Sequence, residues 1–211
     1  MIGAVVLAAG ESTRMGTQKL FLPYAGSTII EHITDQVLES GAGTCLIVTG
    51  HEPDRVMHRL RGRTVVFAHN TNYREGMLTS VRAGLTAAAA DGSWQAALIV
   101  LGDQPSITAA TIDRLLEEHI KNTDRLLVPV FEGRRGHPIL VPMRFHTEVM
   151  NRFDDTGLRG LLRAHPEAVT GVSIDTPAIL EDIDYPEDYQ RALRALASDE
   201  PRSERDLKAL E

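Results

Sequence analysis

Leu7-Ala8-Ala9-Gly10-Glu11-Ser12-Thr13-Arg14-Met15-Gly16-Thr17-Gln18-Lys19 is the stretch that orders the rest of the chain. It is entered from Ala4-Val5-Val6-Leu7-Ala8-Ala9, an apolar run with the composition of a buried strand. It then continues through small residues, two glycines and two cations, Arg14 and Lys19. In a parallel sheet ligands gather at the carboxyl ends of the strands, so this loop lies where a triphosphate would sit. Backbone N–H groups between Gly10 and Gly16 can donate to phosphate oxygens, and glycine permits an approach that a Cβ would block. Arg14 and Lys19 would then neutralise the β- and γ-phosphates. An ordinary surface loop has a similar Gly/Ser/Thr composition, but two cations directly after a buried strand argue against that reading. The spacing fits neither the Walker loop, which needs Gly-Lys-Ser/Thr in sequence, nor the dinucleotide fingerprint with its closer glycines.

Outward from this loop, short apolar runs at Val5–Leu7, Leu46–Val48, Val65–Phe67, Ala97–Leu101 and Leu126–Val130 alternate with helix-period stretches. The helices are expected at Thr28–Ser40, Asp54–Leu60, Leu78–Ala90 and Thr111–Ile120. That alternation predicts an α/β fold with a mainly parallel sheet covered on both faces. After Val130 the pattern loosens. Glu132–Gly136 reads as a hairpin turn into a strand at Ile139–Val141, followed by helices around Arg144–Arg152 and Leu158–Ala164 and a last helix at Glu187–Leu196 behind Pro186. The expected organisation is one domain over 1–197, with a nucleotide-binding half (1–130) and an acceptor-binding half (131–197). The charged tail Ser198–Glu211 has too few apolar residues to dock and is expected to be mobile.

The 211 residues carry a formal net charge of -7, which works against non-specific nucleic-acid binding. Any anionic ligand must therefore be held by local groups. Lysine occurs only at Lys19, Lys121 and Lys208, so a lysine at the end of a glycine-containing loop stands out. Cys45 is the only cysteine, which rules out an internal disulfide, and no Cys/His cluster has zinc spacing. The apolar start is too short for a signal peptide or a membrane span. A cytoplasmic protein without a membrane partner is the expectation.

Two aspartates are candidate magnesium ligands, since Mg²⁺ takes one or two carboxylates together with substrate phosphates. Asp103, in Gly102-Asp103-Gln104-Pro105, ends an apolar strand on the same edge as the first loop; it is otherwise a turn aspartate. Asp184 is placed at the junction of a short strand and the last helix, with Asp182 on the same side by alternation; Asp184 is preferred as nearer the strand's end, and its alternative is a helix cap. Asn70–Ser80 opens a helix near Leu78 and could read a base and ribose, or be simply a Thr/Ser-capped helix start. Gly136-His137-Pro138 sets an imidazole in a restricted turn, either against an acceptor or as surface polarity. Asp155-Thr156-Gly157 with Arg159 reads as cap chemistry before an acceptor contact.

Together, Leu7-Ala8-Ala9-Gly10-x-Ser12-x-Arg14-Met15-Gly16-x-x-Lys19, Asn72-x-x-x-Gly76-Met77-x-x-Ser80, Gly102-Asp103-Gln104-Pro105, Gly136-His137-Pro138 and Asp182-Ile183-Asp184-x-Pro186-Glu187-Asp188 resemble the MobA-like nucleotidyltransferases, in the branch of molybdenum cofactor cytidylyltransferase. The resemblance runs through nearly the whole chain. It implies a three-layer Rossmann-like fold with a mostly parallel sheet and transfer of a nucleoside monophosphate from an NTP. Leu7, Ala8, Ala9, Gly10, Arg14 and Lys19 would hold the triphosphate, and Gly76, Met77, Thr79 and Ser80 the base. Asp103 and Asp184 would carry Mg²⁺, and Gly136, His137 and Pro138 would lie by the acceptor. The catalytic set so implied is Arg14, Lys19, Asp103 and Asp184. Ala9, where the guanylyl branch tends to have glycine, favours CTP. Thr79 replaces a common second serine and Tyr185 a usual threonine, and neither change removes a metal or phosphate ligand. A phosphorylated acceptor of the molybdopterin type is implied, and a partner in molybdoenzyme maturation is left open. A sugar phosphate or another phosphorylated metabolite as acceptor, and a catalytically silent nucleotide-binding module, remain as alternatives.

Overall fold

A computed structural model describes residues 1–199. The chain runs β1 (Ile2–Ala8), β2 (Pro23–Tyr24), β3 (Ser27–Thr28), α1 (Ile29–Glu39), β4 (Cys45–Thr49), α2 (Pro53–Arg59), β5 (Val66–His69), α3 (Met77–Asp91), β6 (Ala96–Leu101) and α4 (Ala109–Lys121). It continues through β7 (Leu126–Phe131), β8 (Arg134–Arg135), β9 (Ile139–Pro142), α5 (His146–Asn151), α6 (Leu158–Ala164), β10 (Val169–Ser173) and α7 (Pro186–Asp199), with short 3-10 turns between some of these. β2 and β3 make a small hairpin. The other strands form one sheet in the order β10-β7-β9-β6-β1-β4-β5, with β8 folded back on β7.

β1 lies at the centre, parallel to β4 on one side and β6 on the other. Such strands are buried on both faces, which is why β4 and β6 read as unbroken apolar runs. Side chains alternate between two cores. Ala4, Val6 and Ala8 of β1 join Ile29 and Ile33 of α1 and Ile112 and Leu115 of α4 on one face. Val5 joins Val81 and Leu85 of α3, Val149 of α5 and Leu161 of α6 on the other. Each Val, Leu and Ile among them contributes roughly 1.5–3 kcal/mol on burial, so the two layers of helices hold the central strands and their carboxyl ends firmly. The expected α/β architecture with a mostly parallel central sheet is observed.

Four expectations are corrected. The strand expected before the last helix does not form: residues 181–184 follow a 3-10 turn at Pro177–Leu180 and reach the sheet's edge through the backbone bond from Ile183 N to Asp103 O at 2.9 Å instead of a ladder. The strand expected at Val65–Phe67 runs one residue later and forms the exposed edge β5. β10 was not anticipated, because Thr170, Gly171 and Ser173 interrupt its apolar pattern and only Val172 is buried. The last helix extends to Asp199 and so takes in Ser198; the rest of the expected tail, residues 200–211, lies outside the described residues.

Candidate active site

The carboxyl ends of β1 and β6 are drawn together by the bond from Gly102 N to Leu7 O at 3.0 Å. A Cβ on Gly102 would stand 2.4 Å from that carbonyl, so only glycine allows the contact. The loop after β1 then turns through Ser12 and Gly16, both with positive φ, around a 3-10 turn at Thr13–Met15 whose Met15 side chain is buried. Gln18 clasps its neck, donating to Gly10 O at 2.8 Å and accepting from the Ser12 hydroxyl. The following 3-10 turn carries Lys19 inward.

Lys19 is 9% exposed. Its Nζ donates to Asp103 Oδ2 at 2.7 Å, Ile183 O at 2.7 Å and Asp184 Oδ1 at 3.1 Å, which uses all three ammonium hydrogens. Burial alone would lower the Lys19 pKa; the Asp103 and Asp184 carboxylates outweigh it and hold the ammonium above its ordinary value. Arg14, more exposed, donates to Asp184 Oδ2 at 3.1 Å and lies over the Tyr185 ring. Sequence segments far apart thus bring the four candidate catalytic residues to one point. Neither aspartate plays the local role considered for it. The Asp103 side chain turns to Lys19, and the carboxylate that accepts from the N–H groups of Asp184 and Tyr185 belongs to Asp188.

Asp182 faces elsewhere. Gln104, 2% exposed, donates to Asp182 Oδ1 at 2.6 Å, and its own Oε1 is buried without a partner among the described residues. Burial and then the Asp103 charge raise the Asp182 pKa, while the bond from Gln104 opposes them.

Two clefts adjoin at Met77 and Leu101. The smaller, about 200 Å³, is lined by Leu7, Ala9, Gly10, Met77, Ser80 and Asp103, with Tyr73, Leu101 and Gly102. The other residues considered for the nucleotide stand back from it. Ala8 is buried in the opposite core, Gly76 caps α3 with φ 114°, and the Thr79 hydroxyl closes on the carbonyls of Asn72 and Gly76. The larger cleft, about 420 Å³, shares Met77 and Leu101 with the first and contains Gly136, His137, Gln104 and Asp182.

Gly136 admits the carbonyl of Ile179, which a Cβ would meet at 2.0 Å, and His137 N donates to that carbonyl at 3.0 Å; Pro138 is buried behind them. His137 is therefore not surface decoration: burial pushes its pKa down to about 4, with Asp103 opposing and Arg159 adding to the fall. Arg134, Arg135, Arg159 and Arg163 line the same cleft, and none has a carboxylate partner among the described residues. Elsewhere Arg14, Arg63, Arg74 and Arg82 are ion-paired. Sequence reasoning missed three of these cleft arginines and took Arg159 with the cap. Gly157 is the N-cap of α6 and no side chain caps it. The only available signal was that Arg134–Arg135 and Arg159–Arg163 flank Gly136-His137-Pro138 and a short helix.

Among the described residues no helix is long and apolar enough to cross a membrane. The profile of the MobA-like NTP transferase domain matches residues 4–169. The chain is 29% identical over 189 residues to molybdenum cofactor cytidylyltransferase of Escherichia coli (strain K12), covering 89% of this chain and 93% of that one. It is also 29% identical over 201 residues to nicotine blue oxidoreductase of Paenarthrobacter nicotinovorans, covering 91% and 96%. In structure it is similar to a nucleotidyl transferase from Methanothermobacter thermautotroptrophicus, with a TM-score of 0.81 and 26% identity over 94% of this chain and 98% of that one. With its loop, its paired aspartates and its sheet in that arrangement, the chain belongs to the MobA-like NTP transferase family.

Proposed function

We propose that this nucleotidyltransferase transfers CMP from CTP to a phosphorylated acceptor of the molybdopterin type and releases pyrophosphate. The observation that carries the reading is the meeting of two clefts at Met77 and Leu101. A small cleft edged by Ala9, Ser80 and Asp103, with Asp103 bonded to Lys19 behind it, adjoins a larger one edged by arginines that have no carboxylate partner among the described residues. Arginine presents a planar fork suited to phosphate oxygens, so four in one cleft favour an anionic acceptor.

In this reaction an acceptor phosphate oxygen attacks the α-phosphorus in line, a new P–O bond forms, and the bond to the bridging oxygen of pyrophosphate breaks. A phosphate acceptor is already an anion, so no general base is needed, in keeping with a His137 whose lowered pKa, about 4, makes it a poor proton acceptor. Arg14 and Lys19 neutralise the leaving pyrophosphate, and the cleft arginines hold the acceptor.

Asp103 and Asp184 are the residues that would hold a magnesium ion: they are hard carboxylates bonded to one ammonium, and Asp103 Oδ1 has no hydrogen-bond partner among the described residues. Bound there, Mg²⁺ would supply charge neutralisation on the reacting phosphates.

The test is pyrophosphate release with Mg²⁺ and CTP, GTP or ATP, with and without molybdopterin-type cofactor. Release with CTP plus that cofactor supports the proposal. Release only with sugar phosphates moves the acceptor, and nucleotide binding without release from any acceptor favours a silent binding module. The oxidoreductase relative adds one control, turnover of a nicotinamide cofactor, and activity there without pyrophosphate release would overturn the proposal.

A further inference from the structure

Asn70 follows the last residue of β5 and is 6% exposed. Its side-chain amide is fully engaged. The backbone N–H of Asn72 donates to Asn70 Oδ1 at 2.9 Å, while Asn70 Nδ2 donates to Thr79 Oγ1 at 2.8 Å and to Ser80 Oγ at 2.9 Å. A backbone N–H can only donate, so the amide atom facing Asn72 must be the oxygen, and the NH₂ group must face the two hydroxyls. Both hydroxyls therefore accept. Thr79 directs its own hydrogen to the carbonyls of Asn72 and Gly76, at 3.0 and 2.8 Å. Ser80, 5% exposed, has no carbonyl partner among the described residues, and it lines the small cleft. Its hydrogen is left to be donated.

We propose that Asn70 is a positioning residue for nucleobase choice. By donating to one lone pair of Ser80 Oγ it leaves the Ser80 hydrogen as the group in need of a partner, and the cleft thereby favours a base offering a ring-nitrogen acceptor, cytosine N3, over one presenting N–H at that position, uracil. The proposal rests on the nucleotide reading of the small cleft. It adds a mechanism for choosing between two pyrimidines of nearly equal size, which the cleft's shape alone would not separate. Uracil N3–H could reach the second lone pair of Ser80 Oγ only by leaving the Ser80 hydrogen buried without an acceptor, a cost enough for discrimination of about tenfold.

The decisive variant is Asn70→Asp. A carboxylate still accepts from Asn72 N–H but also accepts from the hydroxyls, so the Ser80 hydrogen turns inward and its lone pairs face the cleft. Equilibrium binding of CTP and of UTP, each with Mg²⁺, is measured by calorimetry for wild type, Asn70→Asp and Ser80→Ala, with thermal unfolding as the fold control. The expected result is a CTP preference of about tenfold in wild type that is lost or reversed in Asn70→Asp and flattened in Ser80→Ala. An unchanged CTP-to-UTP ratio in folded Asn70→Asp, or equal weakening of both nucleotides, overturns the proposal. Should Asn70→Asp not fold, Ser80→Ala decides: a retained ratio overturns it and a flattened one supports it. Wild type that binds neither nucleotide overturns the transferase reading, and this inference with it.

Discussion

Lys19 Nζ stands 2.7 Å from Asp103 Oδ2, although 84 positions separate the two residues. With Asp184 at 3.1 Å from the same ammonium, an internal cation already sits between the two carboxylates considered for the metal. Asp103→Ala removes one of them without touching the backbone bond from Ile183 to Asp103 O. Turnover should fall by about a hundredfold or more in a chain that still folds, with a lowered unfolding midpoint because Lys19 loses its shorter carboxylate bond, read by pyrophosphate release and circular dichroism. Full activity would refute the role.

Lys19→Met leaves Asp103 and Asp184 without that ammonium. Removing one partner of a buried ion group costs about 3 kcal/mol, and less here because Asp184 is partly exposed and keeps Arg14. Added Mg²⁺ should recover more of the lost thermal stability in this variant than it adds to wild type. Equal shifts would count against metal binding between the two aspartates.

Gly102→Ala places a Cβ against the Leu7 carbonyl, where backbone must move. A loss of about 2 kcal/mol is expected, together with weaker nucleotide binding as β6 and Asp103 are pushed from β1. Denaturant titration and calorimetry measure the two effects.

Arg134→Ala with Arg159→Ala should raise the KM for the acceptor by about tenfold or more while leaving the dissociation constant for CTP unchanged. A change confined to CTP would show that the larger cleft does not hold the acceptor.

His137 has a folded pKa of about 4 against 6.5 in the unfolded chain. Above pH 6.5 both states are neutral and the residue has no effect on the pH dependence. Between pH 6.5 and 4 the unfolded chain binds the proton first, so stability falls as pH falls, by at most about 3 kcal/mol. His137→Gln should remove that component, seen as a smaller difference between denaturation midpoints at pH 7 and 4.5.

The central strands and the first loop were legible because burial on both faces leaves an unbroken apolar signature and because Arg14 and Lys19 are unusual after such a strand. Asp103 was legible as the end of β6. After β7 the strand at Ile139–Val141 and the later helices were legible by the same signals, but β10 was not, since it carries a single buried residue, and the segment before α7 alternates like a strand yet is held by Lys19, Asp103 and Gln104 instead of a ladder. Asn70 could be quoted but not given a task, since its role comes from three partners that only the fold brings within reach. The cleft arginines were hidden for a similar reason, being ordinary surface residues until β8 and α6 turn them to the same space.

β7 reaches the rest of the sheet only through β9, which follows it in the chain and runs antiparallel between β7 and β6. During synthesis, Leu126–Phe131 emerges with no strand yet made to receive it, and the open edge of β6 waits as well. Both are apolar ladders awaiting a partner, which is the condition under which nascent chains pair with one another. A later strand therefore closes the exposed edge of an earlier one, so a chain interrupted before β9 should be prone to self-association before any question of activity arises.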